Sequence, residues 1–333
     1  MTRKRGAMVL NKHTMNALTF SKFGTADVLE YREVAIPTVG DGEVLVEMKA
    51  IGLNFADIYR RKGNYHLKGE PPFIAGYEGS GVVVLSKSNR YSVGERVAFC
   101  DVPFANAEYV KVGEEHIIPL DESMSFELAA SLLLQGLTAH YLTHDSYPVQ
   151  KGDTVLIHAA AGGVGQILTQ ICKLKGASVI GLTRGEEKLS SVKKSGADVA
   201  LLLDENWQKH VLEITDGQGV TCVYDSVGST LKKSLSVTKE CGTVVFYGMS
   251  GGDPESVNPR ELMDRSITLT GGDLWSFLKT SHDRISRATE LFQWISEKKI
   301  VLSEAVKFKL SEGKLAHEFL ESGKSLGKVL LIP

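Results

Sequence analysis

The string His158-Ala159-Ala160-Ala161-Gly162-Gly163-Val164-Gly165 is the part of the sequence whose residue types and spacing point most directly to chemistry. It closes a β-type run at 154–158 and opens a helical run at 164–175. In the dinucleotide fingerprint GxGxxG it places Ala160 in the first slot, Gly162 in the second and Gly165 in the third. Gly162 lets backbone amides approach a pyrophosphate, Gly165 lets helix and strand pack closely, and the helix N-terminus adds partial positive charge. The expected contacts are Ala161, Gly162, Gly163, Val164 and Gly165. A glycine-rich turn alone is weak evidence, but here it lies between a strand and a helix and starts a series of βα units.

Cofactor choice is read at the end of the second strand, where an NAD site places Asp or Glu about 20 residues on to bind the ribose 2′-hydroxyl. This chain has Gly181-Leu182-Thr183-Arg184, followed by Lys188. A carboxylate would repel a 2′-phosphate, whereas Arg184 and Lys188 can pair with it, beside Thr183. NADPH is therefore expected. The alternative, a solvated helix start with Glu186 and Glu187 beside the two cations, stays open.

Two different textures must position these residues. From 16 to about 120, short β segments (17–20, 28–34, 43–51, 81–85, 96–99 and 108–112) are parted by Gly, Pro, Asp and Asn, the pattern of a compact, mostly antiparallel barrel. A helix at 126–142 leads into strands at 154–158, 178–182, 199–203, 221–225, 243–247 and 267–270. These alternate with helices at 164–175, 186–195, 206–214, 230–238 and 259–265. Six strands with crossover helices predict an α/β, doubly wound parallel sheet. A helix at 282–298, a strand at 305–310, a helix at 315–322 and a strand at 329–332 follow the sixth strand, so this tail is expected to return to the first domain.

Composition narrows the function. The 333 residues are 43% hydrophobic and 23% charged, with 38 Lys+Arg against 40 Asp+Glu, which suits two globular domains. A net charge of −2 without a block of one sign argues against a nucleic-acid partner. No apolar run approaches the roughly 20 residues needed to span a bilayer, so no membrane is expected. Residues 1–14 carry the charged start Met1-Thr2-Arg3-Lys4-Arg5 but too short an apolar stretch for export, and are expected to be a disordered extension. Cys100, Cys172, Cys222 and Cys241 are widely spaced, without a CxxC pair, and fit structural thiols in a reducing cytoplasm. His116, His140, His144 and His317 are taken as ordinary histidines without ligand spacing, and no metal is expected.

Several blocks in order carry a resemblance: Ile51-Gly52-Leu53-Asn54-Phe55-Ala56-Asp57, Gly76-Tyr77-Glu78-Gly79-Ser80-Gly81, Gln135-Gly136-Leu137-Thr138-Ala139, the 158–165 string, Tyr224-Asp225-Ser226-Val227-Gly228 and Leu330-Leu331-Ile332-Pro333. Over residues 15–333 the chain resembles the zinc-free quinone oxidoreductases, the ζ-crystallin-like group of the medium-chain dehydrogenase/reductase superfamily. The resemblance implies a GroES-like β-barrel catalytic domain (15–137 and 276–333) and a Rossmann NADPH-binding domain (138–275), in an enzyme that is commonly a homodimer. Where zinc-dependent relatives carry Cys, His and Cys, this chain has Asn54, Tyr77 and Gln135.

The implied activity is NADPH-dependent, metal-free hydride transfer to a quinone or another α,β-unsaturated carbonyl, whose oxygen delocalises the charge that zinc would otherwise stabilise. Asn54, Asp57, Tyr59, Tyr65 and Gln135 are the implied catalytic-site residues. For Asp57 a structural hydrogen-bond role is as open as an acid's, for the tyrosines packing is as open as lining the site, and Thr138, implied near the nicotinamide, could instead bond its own helix backbone. Ser226 and Val227 would border the adenosine side, and Tyr247, Gly248, Thr270 and Gly271 the carboxamide side. Lys324 or Lys328 could approach phosphate. Departures from the family pattern at Gln135, Gly271-Gly272-Asp273 and Leu203 touch acceptor choice more than dinucleotide binding. The alternatives are an enoyl-thioester reductase using Tyr65, or a non-catalytic, crystallin-like or RNA-binding protein that keeps the NADPH site.

Overall fold

The computed structural model describes residues 12–333 and divides them into two units. The first comprises the described part of Met1–Leu134 with Leu278–Thr289 and Glu304–Pro333; the second comprises Gln135–Phe277 and Glu290–Ser303. The divisions lie three and two residues from the expected 137/138 and 275/276. The chain's late part is shared, since Glu290–Ser303 belongs to the second unit while the rest of the tail returns to the first. The expected extension at 1–14 falls mostly outside the described residues, but Thr14 is already paired with Ala35.

The first unit begins with β1 (Thr14–Phe20), β2 (Glu30–Ala35), β3 (Glu43–Leu53), α1 (Phe55–Lys62), β4 (Phe73–Ile74), β5 (Glu78–Ser86), β6 (Arg96–Phe99), β7 (Tyr109–Gly113) and β8 (Ile118–Pro119). Then α2 (Phe126–Tyr141) crosses into the second unit, which continues with β9 (Thr154–Ile157), α3 (Gly163–Leu174), β10 (Ser178–Thr183), α4 (Leu189–Lys194), β11 (Val199–Leu202), α5 (Trp207–Ile214) and β12 (Val220–Asp225). It ends with α6 (Leu231–Ser236), β13 (Thr238–Phe246), α7 (Pro259–Met263) and β14 (Thr268–Gly271). The chain closes with α8 (Ser281–Ser296), β15 (Val306–Lys309), α9 (Gly313–Glu321) and β16 (Val329–Ile332).

In the second unit all six strands are parallel, in the order β11-β10-β9-β12-β13-β14. Leu156, Ile180, Leu182, Val223 and Val244 fill its interior with Trp207 and Val211 of α5, which is why the strands read as continuous apolar runs. The sheet order reverses between β9 and β12, so the loops after these strands diverge and leave a crevice at their carboxyl ends. In the first unit β1 pairs with β2 and β4, while β15-β16-β3-β5-β6-β8 form a path from which β7 also pairs with β3. Except for the parallel β15–β16 pair, these pairings are antiparallel. Val44, Val46, Ile51, Val83, Val97, Phe99, Val110 and Val112 meet Leu310, Leu320, Val329 and Leu331 from the chain's end in one core.

A polar clasp fixes that return. Buried Arg61, on α1, donates through Nη2 to Glu321 Oε2 at 2.7 Å and lies 3.2 Å through Nη1 from His317 Nδ1, both partners on α9. His317 accepts there, because a guanidinium offers only N–H groups. Burial, and then the Arg61 charge, hold the His317 pKa down to about 3. Because the folded value lies below the unfolded one near 6.5, His317 contributes stability that is complete above that pH and is lost as pH falls towards 3. Urea unfolding at a series of pH values should therefore give His317→Gln a shallower loss of stability than the unaltered chain below pH 6, by up to about 1.4 kcal/mol per pH unit.

Candidate active site

The second unit builds its site at the carboxyl edge of the sheet. β9 delivers His158 into the interior and Ala159 into a left-handed turn with φ of 50°, closed by Gly162 N–H donating to the Ala159 carbonyl at 2.8 Å. The fingerprint's first slot falls on Ala160, whereas the left-handed residue is Ala159, one position earlier. A Cβ on Gly165 would collide with the Ala159 carbonyl oxygen and lie 2.7 Å from Ala160 Cα, so this glycine is required by helix–strand contact. A Cβ on Gly162 would meet only that same carbonyl oxygen, at 3.1 Å. The space beside Gly162 is thus crowded only by that oxygen, and the amides of the first turn of α3, which begins at Gly163, can receive an anion there. A Cβ on Gly163 would run into the Gln135 carboxamide, which places Gln135 over the start of α3.

Asp225 holds the neighbouring loop without facing out of it. Its Oδ1 accepts from Val227 N–H at 2.9 Å and Gly228 N–H at 3.1 Å, and its Oδ2 accepts from the Thr230 and Ser234 hydroxyls at 2.8 and 2.7 Å. Ser234 also lies 2.9 Å from His158 Nε2. Since the Ser234 hydrogen goes to Asp225, His158 donates through Nε2. Burial depresses the His158 pKa. Burial alone would raise that of Asp225, but nearby His158 and the Ser234, Thr230 and Val227 donors hold it below the ordinary value. This interior couple fixes the exits of β9 and β12, and with them Ser226 and Val227.

The remaining expected cofactor residues lie at the ends of the other strands. Thr183 is buried at the end of β10; Arg184 is exposed just beyond it, and Lys188 is half-buried. Burial lowers the Lys188 pKa, Glu187 opposes this, and Arg184 adds to it. The Arg184 and Lys188 charges therefore feel one another, and an anion between them would relieve that repulsion. Tyr247 and Gly248 follow β13, where Tyr247 N–H donates to the Asp225 carbonyl at 2.9 Å and Ser250 binds the Ser226 carbonyl. Thr270 and Gly271 pair with Val245 and Phe246. Thr138 is buried on the part of α2 that belongs to this unit.

The first unit carries a buried cluster of charges. Asn54 precedes α1, and Asp57, in its first turn, accepts the Asn54 backbone N–H at 2.9 Å through Oδ2 and Arg60 Nη1 at 3.2 Å through Oδ1. One carboxylate oxygen of Asp57 thus serves the helix start and the other the Arg60 guanidinium. Burial pushes the Asp57 pKa up, while Arg60 and the Asn54 N–H pull it back. The Asn54 side chain donates to Glu78 Oε2 at 2.9 Å and accepts from Lys328 Nζ at 2.8 Å, and Lys328 reaches the same Glu78 oxygen at 2.5 Å. The other Glu78 oxygen accepts Leu134 N–H at 2.7 Å. Lys328, one of the two lysines that could approach phosphate, is 3% exposed and bound to Glu78, because an ammonium inside the unit must meet its counter-charge.

Arg60 lies 3.5 Å above the Tyr77 ring and 4.9 Å from the Tyr65 ring, and Tyr59 and Tyr65 meet edge to face at 6.3 Å. The two expected tyrosines are thus brought together, both half-buried. Arg60, Glu78 and Lys328 had not been singled out as a unit, and the only sequence signal for it is the pairing of opposite charges across a long separation.

Two family models match the chain: an alcohol dehydrogenase GroES-like domain over residues 40–152 and a zinc-binding dehydrogenase domain over 163–294. A quinone oxidoreductase of Pseudomonas aeruginosa is 37% identical over 322 residues, which cover 95% of this chain and 99% of that protein. The chain belongs to the quinone oxidoreductases of the medium-chain dehydrogenase/reductase superfamily. A quinone oxidoreductase from Escherichia coli solved with NADPH superposes with a TM-score of 0.92 at 34% identity, covering 96% of this chain and all of that one. A 2-haloacrylate reductase of a Burkholderia species is 34% identical across 95% of this chain and 98% of its own length. In the terms of this family, the first unit contains the GroES-like domain and the second the Rossmann-type sheet.

The charged cluster makes a measurable demand. Lys328→Met leaves Glu78 buried without its cation and should cost about 3–5 kcal/mol in chemical denaturation. Adding Glu78→Gln to the same chain should recover part of that loss, since the uncompensated charge is then removed.

Proposed function

We propose that this chain is an NADPH-dependent reductase that passes hydride to quinones or other α,β-unsaturated carbonyl compounds, without a metal at the positions of the dehydrogenase zinc. The observation that carries the cofactor assignment is the room beside Gly162 at the N-terminus of α3, together with the Arg184–Lys188 pair beyond the next strand. The amides of residues 163–165, with the Gly162 backbone beside them, would hold the pyrophosphate, and Arg184 and Lys188 the 2′-phosphate. Thr138, Ser226, Val227, Tyr247, Gly248, Thr270 and Gly271 would border the rest of the dinucleotide. When bound, NADPH supplies the hydride.

The donor chemistry supports the metal-free reading. Asn54 offers a neutral amide whose oxygen is occupied by Lys328, so a divalent ion approaching it would face an ammonium. Tyr77 lies beneath the Arg60 guanidinium. Hydride transfer to a conjugated acceptor needs orientation and a hydrogen-bond donor more than a Lewis acid. Asn54 is already engaged, so Tyr59 and Tyr65 are the better candidates for a flat acceptor to pack against. Gln135, fixed over α3, is the candidate polar group in the second unit. The reducing cytoplasm suits four unpaired cysteines, three of them buried. Among the described residues no helix is long and apolar enough to cross a membrane. A homodimer through β14 fits a sheet in which, among the described residues, that strand pairs only with β13.

Arg184→Ala and Lys188→Ala should each weaken NADPH by about 10- to 100-fold, the size of one charge-assisted bond, and leave NADH almost unchanged. Fluorescence titrations with both nucleotides provide the check, and an equal loss for the two would reject the 2′-phosphate assignment. Prolonged chelation should leave the reduction of 1,2-naphthoquinone intact. Recovery of lost activity on adding zinc would overturn the metal-free reading, and faster turnover of a 2-enoyl thioester would move the acceptor class to thioesters.

A further inference from the structure

Away from the dinucleotide turn, the second unit gathers three side chains with metal-ligand chemistry. His140 lies in the last turn of α2, and His144 follows four residues later in a single π-type turn, Leu142–Ser146. Glu290 comes from α8. One ligand atom from each lies within 4.8 Å of the other two. This corrects the expectation that His140 and His144 lack ligand spacing. Residues four apart on a helical stretch share a face, and the third member of the group lies 150 positions away.

The rings of His140 and His144 stack at 4.1 Å with an interplanar angle of 10°. His144 Nδ1 lies 2.8 Å from the His140 carbonyl oxygen. A carbonyl can only accept, so Nδ1 carries the hydrogen and Nε2 keeps the lone pair, which is how metal-ligating histidines are oriented. His140 Nε2 lies 2.8 Å from Glu290 Oε2, and 44% of the Glu290 side chain is exposed. Trp294, one turn after Glu290 on α8, stacks near both imidazoles at 6.1 and 6.3 Å. The indole backs the two rings while the carboxylate remains open to water. A plain His140–Glu290 hydrogen bond within an aromatic stack accounts for one of these contacts and gives the His144 Nε2 lone pair no role.

We propose that His140, His144 and Glu290 form a binding site for a first-row divalent cation of the cobalt, nickel, copper or zinc type, with water completing the coordination. Two imidazoles and one carboxylate suit these ions better than magnesium or calcium, which prefer oxygen donors throughout. Binding requires one imidazole to turn about its Cβ–Cγ bond so that the two lone pairs converge, and the metal replaces the His140–Glu290 hydrogen bond, whose hydrogen moves from His140 Nε2 to Nδ1 through solvent. The site shares no residue with the turn at 158–165 or with the charged cluster around Asn54, and it stands whether or not the proposed reductase activity does.

Titration of metal-stripped, full-length protein with Co²⁺ tests it. One equivalent should bind with visible d–d absorption and be displaced by Zn²⁺. His144→Ala and Glu290→Gln should weaken binding by at least the roughly 10- to 100-fold that loss of even an outer-shell partner costs. His210→Ala should leave it unchanged. Glu290→Gln keeps a hydrogen-bond acceptor for His140, so it tests the carboxylate with the local packing preserved; circular dichroism and NADPH affinity monitor the fold. Absence of one saturable site in the unaltered protein overturns the proposal, as does unchanged cobalt affinity in His144→Ala and Glu290→Gln.

Discussion

Around Asn54, two carboxylates and two cations lie inside the first unit at 3% exposure or less, and they can remain there only because each meets its opposite: Asp57 with Arg60, Glu78 with Lys328. Taking such charges out of water costs several kcal/mol per ion unless pairing and hydrogen bonds satisfy them. Here the satisfaction is close to complete on the acidic side, with Asn54 bridging the pairs. The consequences spread outward from that point. Asp57 starts α1, Arg60 sets the stacking of Tyr77 and Tyr65, and Lys328 ties the last strand to the third. A polar interior of this kind specifies one arrangement more than it adds stability, because replacing any single member strands another.

The second unit solves a different problem. A dinucleotide carries its own charge into the site, so the fold need only leave room beside the start of α3 and set two side-chain cations, Arg184 and Lys188, beyond the end of β10. Gly165 is consumed by the close approach of α3 to the Ala159–Ala160 turn, and Gly162 is not. This asymmetry between two glycines of one motif separates the residue that lets helix and strand touch from the one that leaves room beside the start of α3. Behind them, the His158–Ser234–Asp225 chain keeps the two diverging loops in register with no atom offered to the crevice.

The sheet of the second unit was legible because both its faces are buried, so its strands appear as apolar runs broken by amphipathic helices. The strand at 96–99 and the closing strand at 329–332 agree with the structure to the residue, and most others within one or two. The helix expected at 230–238 stops at Ser236 because Thr238 is already paired with Val220. The helix α1 was missed altogether. It is short and polar, and what stabilises it is the Asp57 cap and the buried Arg60 and Arg61, none of which a hydrophobic pattern reports. Local glycine placement revealed the dinucleotide turn, whereas the Glu78–Lys328 and His140–Glu290 pairs join residues 250 and 150 positions apart. Nothing in a local window couples such partners.

Lys328 follows Glu78 by 250 positions, and this gives the first unit a direction in time. As the polypeptide leaves the ribosome, Glu78 emerges about 250 residues ahead of the ammonium that neutralises it. Until then the carboxylate must stay in water, so the barrel cannot close around it. The parallel sheet between them needs nothing from the last 30 residues and can form first. A nascent chain can therefore carry the parallel sheet beside an open first half, and the emergence of Lys328 sets when that half becomes a protein interior.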